Sequence, residues 1–156
     1  MENLVKIIRH SDLSQADLLT IVKLKMQHWH FEESEQIKWI DKNISSCDYH
    51  LLITNNESVL IGYLNMVRLN VQNDKNKRYL GIGNVCVNKS YKSLGYGLLL
   101  MNIVNIFINQ NNFLVILLCK DALSVFYKKA GWYLFEGIPI SQNKEYKDLL
   151  FSTSRL

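Results

Sequence analysis

YLGIGNVCVNKSYKSLGYGLLLM, at residues 79–101, joins a β-rich apolar run to an apolar pattern of helical period through two glycines. Gly95 and Gly97 lack a Cβ atom, so both positions are predicted to take positive φ and to let the backbone approach a ligand. The amides of residues 93–98 would then lie at the N terminus of a helix from about Gly97 to Asn109. Because unpaired amides and the helix dipole favour phosphate groups, this stretch predicts an anion-binding site.

The spacing of the two glycines excludes two common phosphate-binding motifs. A P-loop closes its turn with Gly-Lys-Ser or Gly-Lys-Thr, whereas Leu98 follows Gly97 here. A Rossmann fingerprint has a third glycine three residues after the second, where this chain has Leu100. Another kind of phosphate site is therefore expected.

The segment resembles the acetyl-CoA signature of the GNAT acetyltransferases, which is Arg/Gln-x-x-Gly-x-Gly/Ala after a strand of pattern Val-x-Val. The strand corresponds to residues 85–87, and the signature to residues 92–97, with Lys92 in the place of the usual Arg or Gln. The resemblance implies that the coenzyme contacts the following residues: Val85, Cys86, Val87, Lys92, Ser93, Leu94, Gly95, Tyr96, Gly97 and Leu98.

A second stretch, LSVFYKKAGW at residues 123–132, resembles the other signature of that family, Phe/Leu-Tyr-x-x-x-Gly-Phe/Trp on a short helix. By resemblance, Tyr127 faces the coenzyme sulfur and protonates the leaving thiolate. A phenol suits this role because its O–H is a donor and its ordinary pKa, about 10, exceeds that of a thiol, about 8.5.

The resemblance implies one GNAT acyl-CoA N-acyltransferase domain over residues 1–156, an α/β (α+β) fold. Its sheet is expected to be mixed and mostly antiparallel, with six to seven strands and about four flanking helices. The sequence itself predicts these elements from apolar periodicity and capping residues: strands at 4–9, 49–54, 58–70 and 113–119, one helix that follows a cap at Ser11, Asp12 or Ser14 and ends near residues 28–31, and another from Ser34 to about Asn43.

Composition indicates an ordinary globular protein. The chain has 48% hydrophobic and 21% charged residues, and no apolar run reaches the roughly 18 residues that span a bilayer. The N terminus lacks the apolar core of a signal peptide, so a cytoplasmic location is expected and no membrane partner. The net charge of +4 is scattered rather than clustered with aromatics, which argues against nucleic acid as a partner. A homodimer is left open.

Cysteine and histidine spacing does not indicate a metal site. Three cysteines without CxxC spacing are expected to be free thiols, two of them buried in strands. The pairs His28 with His30 and Cys47 with His50 have no third or fourth ligand at a matching spacing. No metal cofactor is therefore predicted.

The sequence signals for the residues that would contact the amine acceptor are less specific than those for the coenzyme. In GNAT proteins the loop between the first two helices helps to wall the acceptor pocket, and by resemblance that loop contains Trp29, His30, Phe31, Glu32 and Glu33 here, with Glu136 as a further candidate from the other end of the chain. Each has a simpler interpretation: Trp29 and Phe31 anchor the core, and the acidic residues favour a helix N terminus.

Family resemblance also implies a mechanism. Strands 4 and 5 splay apart, residues 85–87 hold the pantetheine arm, and a strand-4 amide stabilises the oxyanion. Direct attack by the amine is the simplest scheme, with Cys86 as an acetyl-carrying nucleophile the weaker alternative. The general base stays open among His30, Glu32, Glu33, Glu136 and water, because the glutamate of histone-type members aligns near Gly81.

These observations predict an acetyl-CoA-dependent N-acetyltransferase that acts on a primary amine of a small molecule. An amino sugar or an aminoglycoside-like amine is the first acceptor class considered. Two alternatives remain: acetylation of a protein or peptide amine, and a non-catalytic acyl-CoA-binding module.

Overall fold

The computed structural model describes residues 2–70, 76–119, 121–134 and 149–153. These residues form seven strands, β1 to β7 in chain order: Asn3–Arg9, Tyr49–Asn55, Leu60–Leu69, Arg78–Val87, Phe113–Cys119, Tyr133–Leu134 and Leu149–Thr153. They also form four α helices, α1 to α4: Gln15–Met26, Glu33–Asn43, Tyr96–Asn111 and Ser124–Lys129. None of the helices in these ranges is both long and apolar enough to cross a lipid bilayer.

All seven strands belong to one sheet, in the order β1-β2-β3-β4-β5-β7-β6. The β4–β5 pair is parallel and every other pair is antiparallel. The parallel pair follows from the connection, because a crossover through α3 returns the chain to the same end of the sheet. The mixed, mostly antiparallel sheet and the four flanking helices confirm the predicted fold class.

The helices cover both faces of the sheet. Leu51 and Ile53 pack with residues of α3 on one face, whereas Leu52, which lies between them, packs with Ile21 and Leu24 of α1 on the other. This alternation is the strand period of two, and it separates the α3 layer from the α1 layer. Of the capping candidates Ser11, Asp12 and Ser14, it is Ser14 that caps α1, because its Oγ accepts a hydrogen bond from the Asp17 amide at 3.0 Å.

A bulge in β4 shapes the centre of the sheet. Asn84 has a φ of 54°, and the register with β3 shifts beside it. The shift changes which residues face α3, since Ile82 and Val85 both pack in that layer while Cys86 packs against α1. The bulge therefore redirects the last third of β4.

Strands β4 and β5 separate just after this point. Their pairing runs from Arg78 with Phe113 to Ile82 with Leu117, and in the described residues it goes no further. The segment from Gly83 to Val87 pairs with β3 on one side only. The splayed strands expected by resemblance are present, and the later residues of β4 have one edge without a strand partner among the described residues.

Candidate active site

The N terminus of α3 carries an unusual concentration of free backbone donors. Ser93 and Gly95 have φ values of 63° and 85°, so the chain turns sharply before the helix begins at Tyr96. Leu99 is the first residue of the helix with a bonded amide, which donates to the Gly95 carbonyl at 3.0 Å. Within the described part of the chain, none of the amides of residues 93–98 donates a hydrogen bond to a protein acceptor. A 16-residue helix thus presents these amides, and its positive dipole end, to an anion.

Two tyrosines hold this turn in place. The rings of Tyr91 and Tyr96 pack edge to face with centroids 5.8 Å apart. Asn55 Nδ2 donates to the Tyr91 hydroxyl at 3.0 Å, and Asn3 Nδ2 donates to the Tyr96 hydroxyl at 3.1 Å. Strands β1 and β2 therefore fix the turn from below, which preorganises the amides before a ligand binds.

The two glycines have different roles, and the expectation of positive φ at both is wrong for Gly97. Gly95 has a φ of 85°, and a Cβ added there would meet no atom within 4 Å. Gly97 lies inside α3 in helical conformation, and a Cβ there would lie 3.1 Å from Cζ of Phe126 and 4.0 Å from Cγ2 of Val87. Gly95 is thus required by the backbone turn, and Gly97 by the packing of α4 and β4 against α3.

The second signature lies beside the first. Phe126, which fills the space at Gly97, is adjacent in α4 to Tyr127, and the two rings pack edge to face at 4.9 Å. Asn105 ties α3 to the end of this motif, since its Nδ2 donates to the Ala130 carbonyl at 3.1 Å and its Oδ1 accepts from Trp132 Nε1 at 3.2 Å. The structure therefore brings the two sequence signatures into direct contact.

Burial alters the acidity of two groups in this region. Burial, reinforced by the nearby Cys119, raises the pKa of the Tyr127 hydroxyl above its ordinary value, so the phenol is protonated at neutral pH. Burial also raises the pKa of the Cys86 thiol to about 12, although Lys25 partly opposes the change. The Tyr127 phenol therefore carries its proton at neutral pH, and Cys86 is unsuited to act as a nucleophile.

A histidine side chain contacts the C-terminal end of β4. The Asn88 amide donates to Ile61 of β3 at 2.7 Å, so the backbone groups of the preceding residue, Val87, face the other edge. His28, just after α1, places Nε2 2.7 Å from the Val87 carbonyl. The C-terminal end of β4 is therefore anchored to the end of α1, next to the open edge.

On the α1 side of β4 lies a cavity of about 480 Å³. Its lining combines aromatic rings with a few polar groups: Lys25, Trp29, Phe31, Glu35, Gln36, Trp39 and Asn84. Phe31 and Trp39 are 60% and 42% exposed, so two large apolar side chains of this lining are open to solvent. The size and lining are typical of a small-molecule site.

Lys25 is the most unusual residue of this cavity. It is only 2% exposed, and its Nζ lies 4.3 Å from the centroid of the Trp39 ring. The ion pair that the described residues contain joins Lys6 to Asp17, so no described carboxylate neutralises Lys25. Burial lowers the pKa of the Lys25 amine from 10.5 to about 8, with the nearby Cys86 opposing the change.

The candidate acceptor residues occupy different places. Trp29 lines the cavity, and Gln36 Nε2 donates to its carbonyl at 3.3 Å, which fixes the loop between α1 and α2. His30 and Glu33 are exposed and lie outside the lining. Glu136 lies outside the described residues. Of the three that the structure describes, Trp29 is the one that lines this cavity.

Sequence reasoning missed Lys25, Glu35 and Asn84. Lys25 carried a usable signal, because it interrupts the apolar stripe of α1 formed by Leu18, Ile21 and Val22 at helical spacing. Glu35 has a second task, since its Oε2 accepts from the Glu32 amide at 3.1 Å. The bulge at Asn84 has no local sequence signal that we recognise.

The histidines that were considered as metal ligands have other partners. His28 contacts the end of β4, and His50 is fully buried between His10 and Tyr63. The His50 ring nitrogens lie 2.9 Å from His10 Nδ1 and 2.7 Å from the Tyr63 hydroxyl. Among the residues that the structure describes, no three His, Cys, Asp or Glu side chains form a group that could hold a metal ion.

No protein-family model matches the sequence, and no curated protein is significantly similar to it. Solved structures are similar in fold. An acyl-CoA N-acyltransferase from Pseudomonas aeruginosa matches with a TM-score of 0.73 and 16% identity, over 98% of this chain and 100% of that one. The GNAT family N-acetyltransferase YhbS from Escherichia coli, in complex with CoA, matches with a TM-score of 0.66 and 18% identity, over 95% of this chain and 79% of that one.

Glucosamine-6-phosphate N-acetyltransferase from Arabidopsis thaliana matches with a TM-score of 0.64 and 16% identity, over 90% of this chain and 99% of that one. At these identities the likeness concerns architecture. Each match covers 90% or more of this chain. The chain therefore has the GNAT N-acetyltransferase fold.

Proposed function

We propose that this protein is an acetyl-CoA-dependent N-acetyltransferase that transfers the acetyl group directly to a primary amine of a small molecule. The observation that carries the proposal is the set of free amides at residues 93–98, which lies beside the open edge of β4. A pyrophosphate requires several converging donors, and an extended amide-containing arm requires an unpaired strand edge. One ligand, coenzyme A, carries both chemical groups.

The residues fit this ligand at both ends. The turn at Gly95 leaves free space over its Cα, so phosphate oxygens can reach the backbone. Lys92 and Ser93 are exposed beside the amides and can contact the same phosphates. At the other end Val85 and Val87 face the α3 layer, so the arm would run along their backbone toward the α4 signature.

In the proposed reaction the lone pair of the neutral amine attacks the thioester carbonyl carbon, and the carbon–sulfur bond breaks. The amine passes one proton to water, the departing thiolate takes one from Tyr127, and water returns a proton to the tyrosinate. The raised pKa of Tyr127 keeps the phenol protonated until the thiolate forms. Cys86, whose pKa is about 12, has no part in this scheme, which favours direct transfer over an acetyl-cysteine intermediate.

A small acceptor suits the cavity between α1, α2 and the β4 bulge. A volume of about 480 Å³ matches one sugar-sized or amino-acid-sized molecule, and its aromatic wall suits the apolar face of a ring. An enzyme with the same fold acts on glucosamine 6-phosphate, as its name states. Amino sugars are therefore the first acceptors to test.

The test measures free thiol release from acetyl-CoA with a panel of amino sugars, aminoglycosides, amino acids and short peptides, and identifies the product by mass spectrometry. We expect an N-acetylated small molecule. Turnover confined to peptides would replace the acceptor class with a protein amine. Binding of acetyl-CoA without turnover on any amine would identify a non-catalytic acyl-CoA-binding module, and absence of binding would reject the proposal.

A further inference from the structure

We infer that the acceptor carries an anionic group, a carboxylate or a phosphate, in addition to its amine, and that Lys25 binds this group. The inference rests on the proposed function, because it names the acceptor class of the same site. It makes Lys25 a specificity-determining residue for acidic amines.

Lys25 is a cation that lies in an apolar layer of the protein. Lys25 lies on the buried face of α1, next in sequence to Leu24, which packs in the core against β2 and β3. The residue is 2% exposed, and it forms part of the cavity wall. An ammonium group in such surroundings requires a partner, because removal from water is costly without one.

The described residues supply no anionic partner for the Lys25 ammonium group. The contact that the structure gives for Lys25 Nζ is the face of Trp39 at 4.3 Å, which is a weak substitute for a carboxylate. Among the described residues no carboxylate lies within ion-pair distance of it. The lowered pKa of this amine, about 8, reflects the same lack of compensation. An anionic ligand in the cavity would supply the missing charge.

The cavity lining carries one positive and one negative side chain. Lys25 and Glu35 are the two residues of opposite charge that line the cavity. A polycationic amine would be repelled by Lys25, whereas a molecule with one ammonium and one acidic group complements both residues. An aminoglycoside therefore fits this charge pattern less well than an amino acid or a phosphorylated amino sugar.

A purely structural role for Lys25 makes a different prediction. If the side chain only packs on Trp39, acidic and neutral acceptors of the same shape should bind equally, and loss of the charge should affect both alike. Matched pairs of probes separate these cases. Glucosamine 6-phosphate with glucosamine tests a phosphate, and alanine with alaninamide tests a carboxylate.

The experiment titrates each probe into the protein saturated with coenzyme A and measures affinity by calorimetry. We expect the parent to bind the acidic member of at least one pair about 10- to 100-fold more tightly, as charge-assisted hydrogen bonds allow. Lys25→Met should reduce that ratio to near unity without changing the affinity for coenzyme A, and Lys25→Arg should retain part of it. The pair that shows the preference identifies the anion.

Lys23→Met is the matched control, since Lys23 is an exposed lysine on the same helix outside the cavity lining. It removes the same charge and should leave the ratio unchanged. Lys25→Gln is measured beside Lys25→Met, so that the result does not depend on one variant folding. Equal affinities within both pairs in the parent, or a preference that survives in both neutral variants, would overturn the inference.

The outcome is separable from that of the proposed function. A preference that depends on Lys25, without thiol release on any amine, would uphold the anion site and reject acetyl transfer. Turnover on neutral amines, with no preference in binding, would uphold acetyl transfer and reject the anion site.

Discussion

The ring of Phe126 occupies the space that a side chain on Gly97 would need, since a Cβ at residue 97 would lie 3.1 Å from Phe126 Cζ. This contact joins the helix that presents free amides to the helix that carries Tyr127. The glycine of the first signature is thus a condition for the position of the second. A change at residue 97 should therefore reach both coenzyme binding and proton transfer.

Gly97→Val is expected to lower the affinity for acetyl-CoA and kcat together, because the larger side chain displaces Phe126 and with it Tyr127. Gly97→Ala should show a smaller loss of both. Phe126→Leu in the Gly97→Ala background should recover much of that loss, since it frees the space that the new methyl group needs. A double-mutant cycle on coenzyme affinity, measured by calorimetry, tests the coupling. Strict additivity of the two substitutions would contradict it.

Tyr127→Phe is expected to keep the fold and most of the coenzyme affinity and to lower kcat by about 10²- to 10⁴-fold, the usual contribution of general acid catalysis. The phenyl ring retains the packing against Phe126 and Trp132 and removes the hydroxyl. The comparison requires a saturating amine and a series of pH values, because a slow product release would hide part of the loss. Tyr133→Phe, at a half-exposed tyrosine, is the control. A kcat equal to that of the parent across the series would remove Tyr127 from the mechanism.

The sequence was sufficient for the fold, because apolar periodicity and the two signatures are local patterns, and the coenzyme contacts of residues 85–87 and 92–98 stay predictions. Gly95 is required by a positive φ and Ser14 by a helix cap, and each leaves a trace in a few consecutive residues. The positive φ expected at Gly97 was wrong, because Gly97 lies inside α3. Its constraint comes from Phe126, almost 30 residues away in the chain, and local sequence does not reveal such a contact.

The acceptor side could be predicted only in part, because its residues come together through packing. Trp29 was found through its loop, but the position of Lys25 depends on which face of α1 meets the sheet. Asn84 enters the cavity through a bulge that reverses the alternation of β4. A bulge of this kind is decided by the pairing with β3, so neither strand alone predicts it.

Stability should fall as the pH is lowered from 6.5 toward 4, in part because of His50. Burial, together with the charge of His10, lowers the His50 pKa from 6.5 to about 4, while Asp48 opposes this shift. Between those values the unfolded chain holds a proton that the native state lacks, so acid favours unfolding. At about 1.4 kcal/mol per pKa unit the contribution is about 3 kcal/mol, present in full above pH 6.5.

Urea unfolding of the parent and of His50→Gln, measured at intervals from pH 7 to pH 4, tests this contribution. The variant should lose stability less steeply with acid, by close to one proton. His30→Gln, at an exposed histidine, should have the slope of the parent. Identical slopes for His50→Gln and the parent would show that His50 titrates normally.

Lys25→Met should stabilise the folded protein although we expect it to impair recognition of acidic acceptors. It replaces a buried ammonium that has no carboxylate partner among the described residues by an apolar chain of similar length, and the pKa of about 8 indicates a cost to the native state. We expect a gain of about 1 to 3 kcal/mol at pH 7, discounted for the solvent that reaches the cavity.

The sign of that gain can be checked with pH. Between pH 8 and 10.5 the unfolded chain keeps the lysine proton that the native state has lost, so the parent gains stability and the difference from Lys25→Met should shrink. Denaturant unfolding at pH 7 and pH 10 measures the difference. A variant that is less stable than the parent at pH 7 would indicate a structural role for Lys25.

Coenzyme binding at the N terminus of α3 is tested most directly by a titration of coenzyme A into the ¹⁵N-labelled protein, followed through the backbone amide resonances. We expect the amides of residues 93–98 to shift most, Gly95 and Gly97 among them, because they are free in the structure and would bind the pyrophosphate. The amides of residues 85–87 should shift next, as the arm pairs with β4. Tight binding that leaves residues 93–98 unshifted, or no binding at all, would contradict the assignment of this site.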